Sequence, residues 1–173
     1  MAKLVVVDVE ADGEIPGKGL YSMVCFGAVV VDKQGKLDNT FYGETAPISE
    51  KWKPEALAIS GFTREQHLMF QSPWDTINQF KQWINSQGKC IFISDNLAFD
   101  WQWINWYMHY FTGSNPFGFS GQRIGDKFQG FFNDPYYKWK KHRKTAHTHN
   151  PVDDAKGNAE ALLYLYSQGY KLF

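Results

Sequence analysis

Residues 4–10 run Leu-Val-Val-Val-Asp-Val-Glu. Leu4 to Val7 is apolar on both faces and rich in β-branched side chains, as a central strand covered on both sides requires. Asp8 and Glu10 end this strand two residues apart. Side chains alternate along a strand, so both carboxylates share one face, roughly 7 Å apart along it. Open α/β sheets keep their ligand crevices at the carboxyl ends of such strands. Alone, Asp-x-Glu is also what a strand shows on simply reaching solvent.

Further along, residues 23–31 form a second strand, Asp32-Lys33-Gln34-Gly35 a turn, and residues 37–42 a third strand that pairs back. Ser72-Pro73-Trp74-Asp75 reads as an N-cap with Pro at the first helical position. The helix it opens carries Trp74, Ile77, Phe80 and Ile84 on one side and stops near Gly88. Residues 90–94 are a short strand, 97–111 a long aromatic helix, and 113–118 a Gly/Pro-rich loop. Asn150-Pro151 opens the last helix, which ends before Gly169. A three-strand meander followed by alternating helix and strand predicts one α/β domain over 1–173, a mixed central β-sheet flanked by helices.

At 173 residues, 43% hydrophobic and 21% charged, the chain can bury its own core. Trp 7, Tyr 9 and Phe 14 exclude disorder. Lys+Arg 18 against Asp+Glu 18 argues against gripping long duplexes by bulk charge, but leaves a pocket for one strand end open. Cys25 and Cys90 lie in apolar, strand-like runs and read as buried thiols in a reducing compartment. No apolar core of signal-peptide length follows Met1-Ala2-Lys3, and residues 23–31 are too short to span a membrane. A soluble, cytoplasmic chain without a membrane partner is expected.

The aromatic helix brings a third carboxylate. At about 100° per residue, with Asp100 at zero, Phe99, Trp103, Trp106 and Tyr110 fall on one flank and Trp101 and Met108 on the other. Gln102, Asn105 and His109 form the polar strip, opposite Asp100. Asp100 therefore points inward, which is costly for a carboxylate unless it is paired or holds a metal. A capping role suits Asn96 better. Trp101 and Met108 can pack on the sheet or on a second copy in a homodimer.

The last helix adds a fourth. Asn150 is the N-cap, Pro151 the first helical residue and Asp153 the third. Asp153 falls on the polar face with Lys156 and Glu160, whereas Asp154 falls at the core border beside Asn158. Asp154 is thus the acid that can reach a site, with His149 on the preceding loop. Converging carboxylates repel unless a cation holds them, and oxygen-only donors suit Mg²⁺ or Mn²⁺. One nearby His that need not be a ligand suggests a general base.

Asp8-Val9-Glu10, Asn96-Leu97-Ala98-Phe99-Asp100 and His149-Asn150-Pro151-Val152-Asp153-Asp154-Ala155 resemble, in order and spacing, the three motifs of the DEDDh 3′→5′ exonucleases. That superfamily has the ribonuclease H-like three-layer fold and includes ribonuclease T, oligoribonuclease and proofreading exonucleases. The resemblance implies two metal ions on Asp8, Glu10 and Asp154, with Asp100 supporting the second and His149 deprotonating the attacking water. It implies release of nucleoside 5′-monophosphates from the 3′ end of a single strand, with RNA slightly favoured over DNA. Pro54-Glu55-Ala56-Leu57-Ala58-Ile59-Ser60-Gly61 looks like the family's segment near the terminal nucleotide. With it, Ala11, Asp12, Gly13, Met23, Leu57, Ser60, Phe62, Asn96 and Phe99 are the expected substrate contacts. Residues 113–146 show no firm family pattern.

Within them, residues 136–144 carry five Lys/Arg interleaved with aromatics, and no acid lies between Asp134 and Asp153. Such a run suits the phosphates and bases of one strand, with Trp139 as a stacking platform and Lys140 and Arg143 on phosphates. A solvated loop is the plainer account. His142 and His147 read as surface residues that can assist. A catalytically inactive, nuclease-like binding module is the alternative function, although no ligand is missing from the motifs. A structural calcium module is disfavoured, because Asp8-x-Glu10 lacks the EF-hand spacing and glycine.

Overall fold

The computed structural model describes residues 2–32 and 34–172. Its five-stranded sheet has the order β3-β2-β1-β4-β5. The strands are β1 (Lys3–Ala11), β2 (Met23–Val31), β3 (Thr40–Glu44), β4 (Cys90–Ser94) and β5 (Gly121–Arg123). β1 lies in the middle, antiparallel to β2 and parallel to β4. The helices are α1 (Pro54–Ile59), α2 (Arg64–Leu68), α3 (Pro73–Gln87), α4 (Leu97–Thr112), α5 (Ile124–Phe132) and α6 (Pro151–Ser167), with a 3₁₀ turn at Trp139–His142.

The two faces of β1 explain its doubly apolar sequence. Val5, Val7 and Val9 pack with Phe26, Ile77, Phe80 and Trp103 on the α3–α4 side. Leu4 and Val6 pack with Val29, Phe128, Ala159 and Leu162 on the α5–α6 side. Asp8 and Glu10 continue the even-numbered face, so they emerge beside α6. Close approach there depends on Gly27, the β2 partner of Asp8. A Cβ at Gly27 would lie 2.4 Å from both the Pro151 carbonyl carbon and the Val152 nitrogen at the start of α6. Gly27→Ala should therefore cost about 1–3 kcal/mol of stability. By pushing Asp154 away from Asp8, it should also lower turnover by about 10²-fold. Paired denaturation and rate measurements check this, and full activity in a folded Gly27→Ala protein would contradict it.

Two local expectations are corrected, and a third falls partly outside the described residues. The third strand runs over Thr40–Glu44 rather than 37–42, because Leu37 turns inward onto the α5–α6 core. Lys33 of the predicted turn lies outside the described residues. Its neighbours do turn, with the Lys36 N–H donating to Asp32 Oδ1 at 3.0 Å. Trp139 is no platform for a base: it is 5% exposed and its ring stacks 6.0 Å from Phe128. Trp139→Ala should cost about 3–5 kcal/mol as a core deletion, seen as a lower denaturation midpoint. A fully stable variant with weakened strand binding would reverse that correction.

The sequence reading did not resolve α1, α2, β5 and α5. Trp101 and Met108 pack inward: Trp101 lies edge-on to Phe92 at 5.1 Å, and Met108 is buried. Among the described residues, no helix is long and apolar enough to cross a membrane.

Candidate active site

The carboxyl end of β1 meets the first turns of α4 and α6. Carboxylate oxygens of Asp8, Glu10 and Asp154 lie within 4.8 Å of one another. Asp100 is 3% exposed. Parallel pairing with β4 ends at Val6↔Ile93, so the Val9 N–H beyond it is free to donate to Asp100 Oδ1 at 3.1 Å. Asn150 caps α6, its Oδ1 accepting from the N–H of Val152 at 3.0 Å and of Asp153 at 3.3 Å. That cap points Asp154 inward and leaves Asp153 partly exposed, 3.5 Å from the Thr148 hydroxyl.

His149 precedes the cap with φ 59, the left-handed region that non-glycine residues seldom occupy. Its N–H donates to Asp154 Oδ2 at 3.0 Å, and its Nδ1 lies 3.4 Å from Glu10 Oε1. His147, read from sequence as a surface residue, places Nδ1 2.8 Å from Asp154 Oδ1. Arg143, expected on strand phosphates, instead turns inward and donates from Nη2 to the same oxygen at 2.7 Å. The alternating His-Thr-His of residues 147–149 was the available signal for His147; a loop sequence held none for the inward turn of Arg143.

The charges are under-compensated. Burial pushes the Asp8 carboxyl well above its usual range, helped by Asp100, Glu10 and Asp154 and opposed by Arg143. Burial raises Glu10 too, against the pull of His149. Asp100 is pushed up to about 8 by burial, although the nearby Ser94 hydroxyl and the Val9 N–H oppose it. Hard oxygen donors gathered with excess negative charge fit a divalent cation.

The same shifts fix a pH dependence. Asp100 keeps its proton in the fold but loses it in the unfolded chain, so its contribution is complete at low pH and fades as pH rises toward about 8. Asp8 acts in the same direction. His67, pushed down to about 4 by burial and Arg64, opposes them only below its free value near 6.5. The melting temperature of the metal-free protein should therefore fall between about pH 6.5 and 8. Mg²⁺ or Mn²⁺ should raise it most at the upper end, and Asp100→Asn should flatten the fall. A metal-free protein that gains stability over this range would contradict the assignment.

The expected substrate contacts divide. Asn96 is exposed; Phe99 is half-buried next to Asp100 in α4, and Phe62 is half-buried against Val24, Cys25 and Leu57. Lys140 is exposed but ion-paired with Asp95 at 2.6 Å. Asp12 is corrected to an interior role: it is fully buried, its Oδ1 accepting from the Ser22 N–H at 2.6 Å and its Oδ2 from Arg64 at 3.1 Å. Met23 is likewise fully buried, and Leu57 packs with Val24 and Cys25. Ala11 and Ser60 are also buried, the Ser60 hydroxyl donating to the Leu57 carbonyl at 2.6 Å. Gly13 makes room for Tyr21, whose ring lies 2.1 Å from where a Cβ would stand.

A mixed sheet with carboxylates at the end of its central strand, completed from two flanking helices, is a ribonuclease H-like nuclease frame. The chain is 35% identical over 171 residues to the 3′-5′ DNA exonuclease Cap18 of Escherichia coli, covering 90% of this chain and 87% of the relative. It belongs to the DEDDh 3′→5′ exonucleases and is a 3′→5′ exonuclease. No family model matches it. Among solved structures it resembles the nuclease domain of 3′hExo, a DEDDh family member bound to rAMP, with TM-score 0.78 and 16% identity over 99% of this chain and 94% of that one. It also resembles the zinc-bound E. coli ExoI–ssDNA complex, with TM-score 0.74 and 15% identity. There it covers 99% of this chain but 42% of the other.

Proposed function

We propose that this exonuclease removes nucleotides singly from the 3′ end of single-stranded DNA. Asp8, Glu10 and Asp154 would hold two Mg²⁺ or Mn²⁺ ions with help from Asp100, and His149 would act as general base. The observation that carries this is the meeting of three carboxylates within 4.8 Å, with His149 at 3.4 Å from Glu10. Likeness to ribonuclease T and oligoribonuclease leans toward RNA. The relative that is 35% identical, named a DNA exonuclease, supports DNA more strongly.

When bound, the ions supply Lewis acidity to the attacking water and the departing 3′-oxygen. His149 Nδ1 faces Glu10, which leaves Nε2 to take the water's proton. The water oxygen attacks the terminal phosphorus, and the bond to the 3′-oxygen of the preceding nucleotide breaks. That oxygen takes up a proton, and a nucleoside 5′-monophosphate leaves. The partly accessible rings of Phe62 and Phe99 would offer bases a stacking edge without strong selection among them. The exposed Lys141 and Lys144 remain for phosphates, and Lys140 would have to exchange its Asp95 partner to join them. The free, buried thiols of Cys25 and Cys90 suit a reducing cytoplasm.

Initial rates on DNA and RNA oligonucleotides of matched sequence test the substrate. Faster release of deoxynucleotides is expected; faster release of ribonucleotides would overturn the DNA assignment.

A further inference from the structure

Arg143 stands apart among the cations near the site. Its side chain is 8% exposed and donates from Nη2 to Asp154 Oδ1 at 2.7 Å. Its Nε is buried without a hydrogen-bond partner among the described residues. The guanidinium occupies a slot on α6 that glycine makes: a Cβ at Gly157 would lie 2.5 Å from Nε and 2.8 Å from Nη2. A buried guanidinium with an unmade hydrogen bond is costly unless nearby negative charge compensates it. Here that charge comes from Asp154 and its neighbours.

The two oxygens of Asp154 are used unequally. Oδ1 accepts from Arg143, faces His147 Nδ1 at 2.8 Å, and lies 3.3 Å from the Thr148 nitrogen. Oδ2 has the His149 N–H at 3.0 Å. A carboxylate oxygen offers about two lone pairs. Oδ1 is saturated, and Oδ2 keeps room for one more partner.

We propose that Arg143 is a resident counter-cation that holds Oδ1 of Asp154, compensates the metal-free carboxylates and leaves an incoming divalent ion only Oδ2. It is a positioning residue, acting through Asp154, and the inference rests on the metal-site reading above. A fixed positive charge beside a divalent ion also repels it, so the site binds its ion more loosely than its carboxylates alone would. Removing the charge should then tighten metal binding, whereas removing a purely structural residue should loosen it.

The test is calorimetric titration of the protein with Mn²⁺, together with metal-free melting, for wild type, Arg143→Gln and Arg143→Lys. Both variants lose the guanidinium fork and its packing on Gly157, but only Arg143→Gln loses the charge. Arg143→Gln should bind Mn²⁺ on the order of tenfold or more tightly than Arg143→Lys, and should melt lowest without metal. Equal affinities in the two variants, or weaker binding by Arg143→Gln, would overturn the proposal. Should Arg143→Gln not fold, Gly157→Ala provides the second reading: its methyl displaces the guanidinium from Oδ1, and Mn²⁺ affinity should rise. Unchanged or weaker affinity there would overturn it equally. A wild type that binds no Mn²⁺ would overturn the metal-site reading itself, together with this inference.

Discussion

Asp154→Asn should lower exonuclease turnover by about 10³-fold or more, the loss of several kcal/mol of transition-state stabilisation. The substitution keeps the shape of the side chain and an oxygen acceptor for Arg143, so the fold should survive. What disappears is the negative charge that completes the cluster with Asp8 and Glu10. Asp8→Asn should fall comparably. Asp153→Ala is the internal control, because Asp153 is partly exposed and its carboxylate reaches the Thr148 hydroxyl at 3.5 Å rather than the cluster. Steady-state rates with circular dichroism on each variant decide the matter. An inactive Asp153→Ala beside an active Asp154→Asn would mean that the helix presents the other acid.

Loss of the general base should rank second. Removing the His149 side chain should cost about 10²–10⁴-fold in rate, with Mn²⁺ binding retained. Asn is the appropriate replacement, since the backbone here is left-handed with φ 59, a conformation Asn tolerates better than Ala. Turnover and Mn²⁺ titration on the same preparation separate the roles. A His149→Asn protein that loses metal affinity in proportion to its rate would make His149 a ligand instead.

The carboxylates were legible in sequence because each rests on a local periodicity. Alternation along β1 places Asp8 and Glu10 together, and helix angles turn Asp100 and Asp154 inward; both aspartates are buried. What the sequence hid depends on distant partners. Asp12 reads as one more acid after Glu10, yet Arg64, 52 residues on, draws it into the interior. The basic-aromatic run looks like a strand guide, but a single 3₁₀ turn buries Trp139, and the slot at Gly157 admits Arg143. β5 is three residues long and pairs only through its place beside β4. Nothing in its own three residues marks it as a strand.

The central claim is that one carboxylate cluster, loaded with divalent ions, hydrolyses a strand from its 3′ end. A 5′-labelled single-stranded DNA oligonucleotide incubated with the protein and Mn²⁺ tests it most directly. Single-nucleotide shortening from the 3′ end is predicted, with nucleoside 5′-monophosphates as the released product and complete arrest on adding a chelator. Shortening that continues in the chelator, or strand binding with no shortening when Mn²⁺ is present, would contradict it.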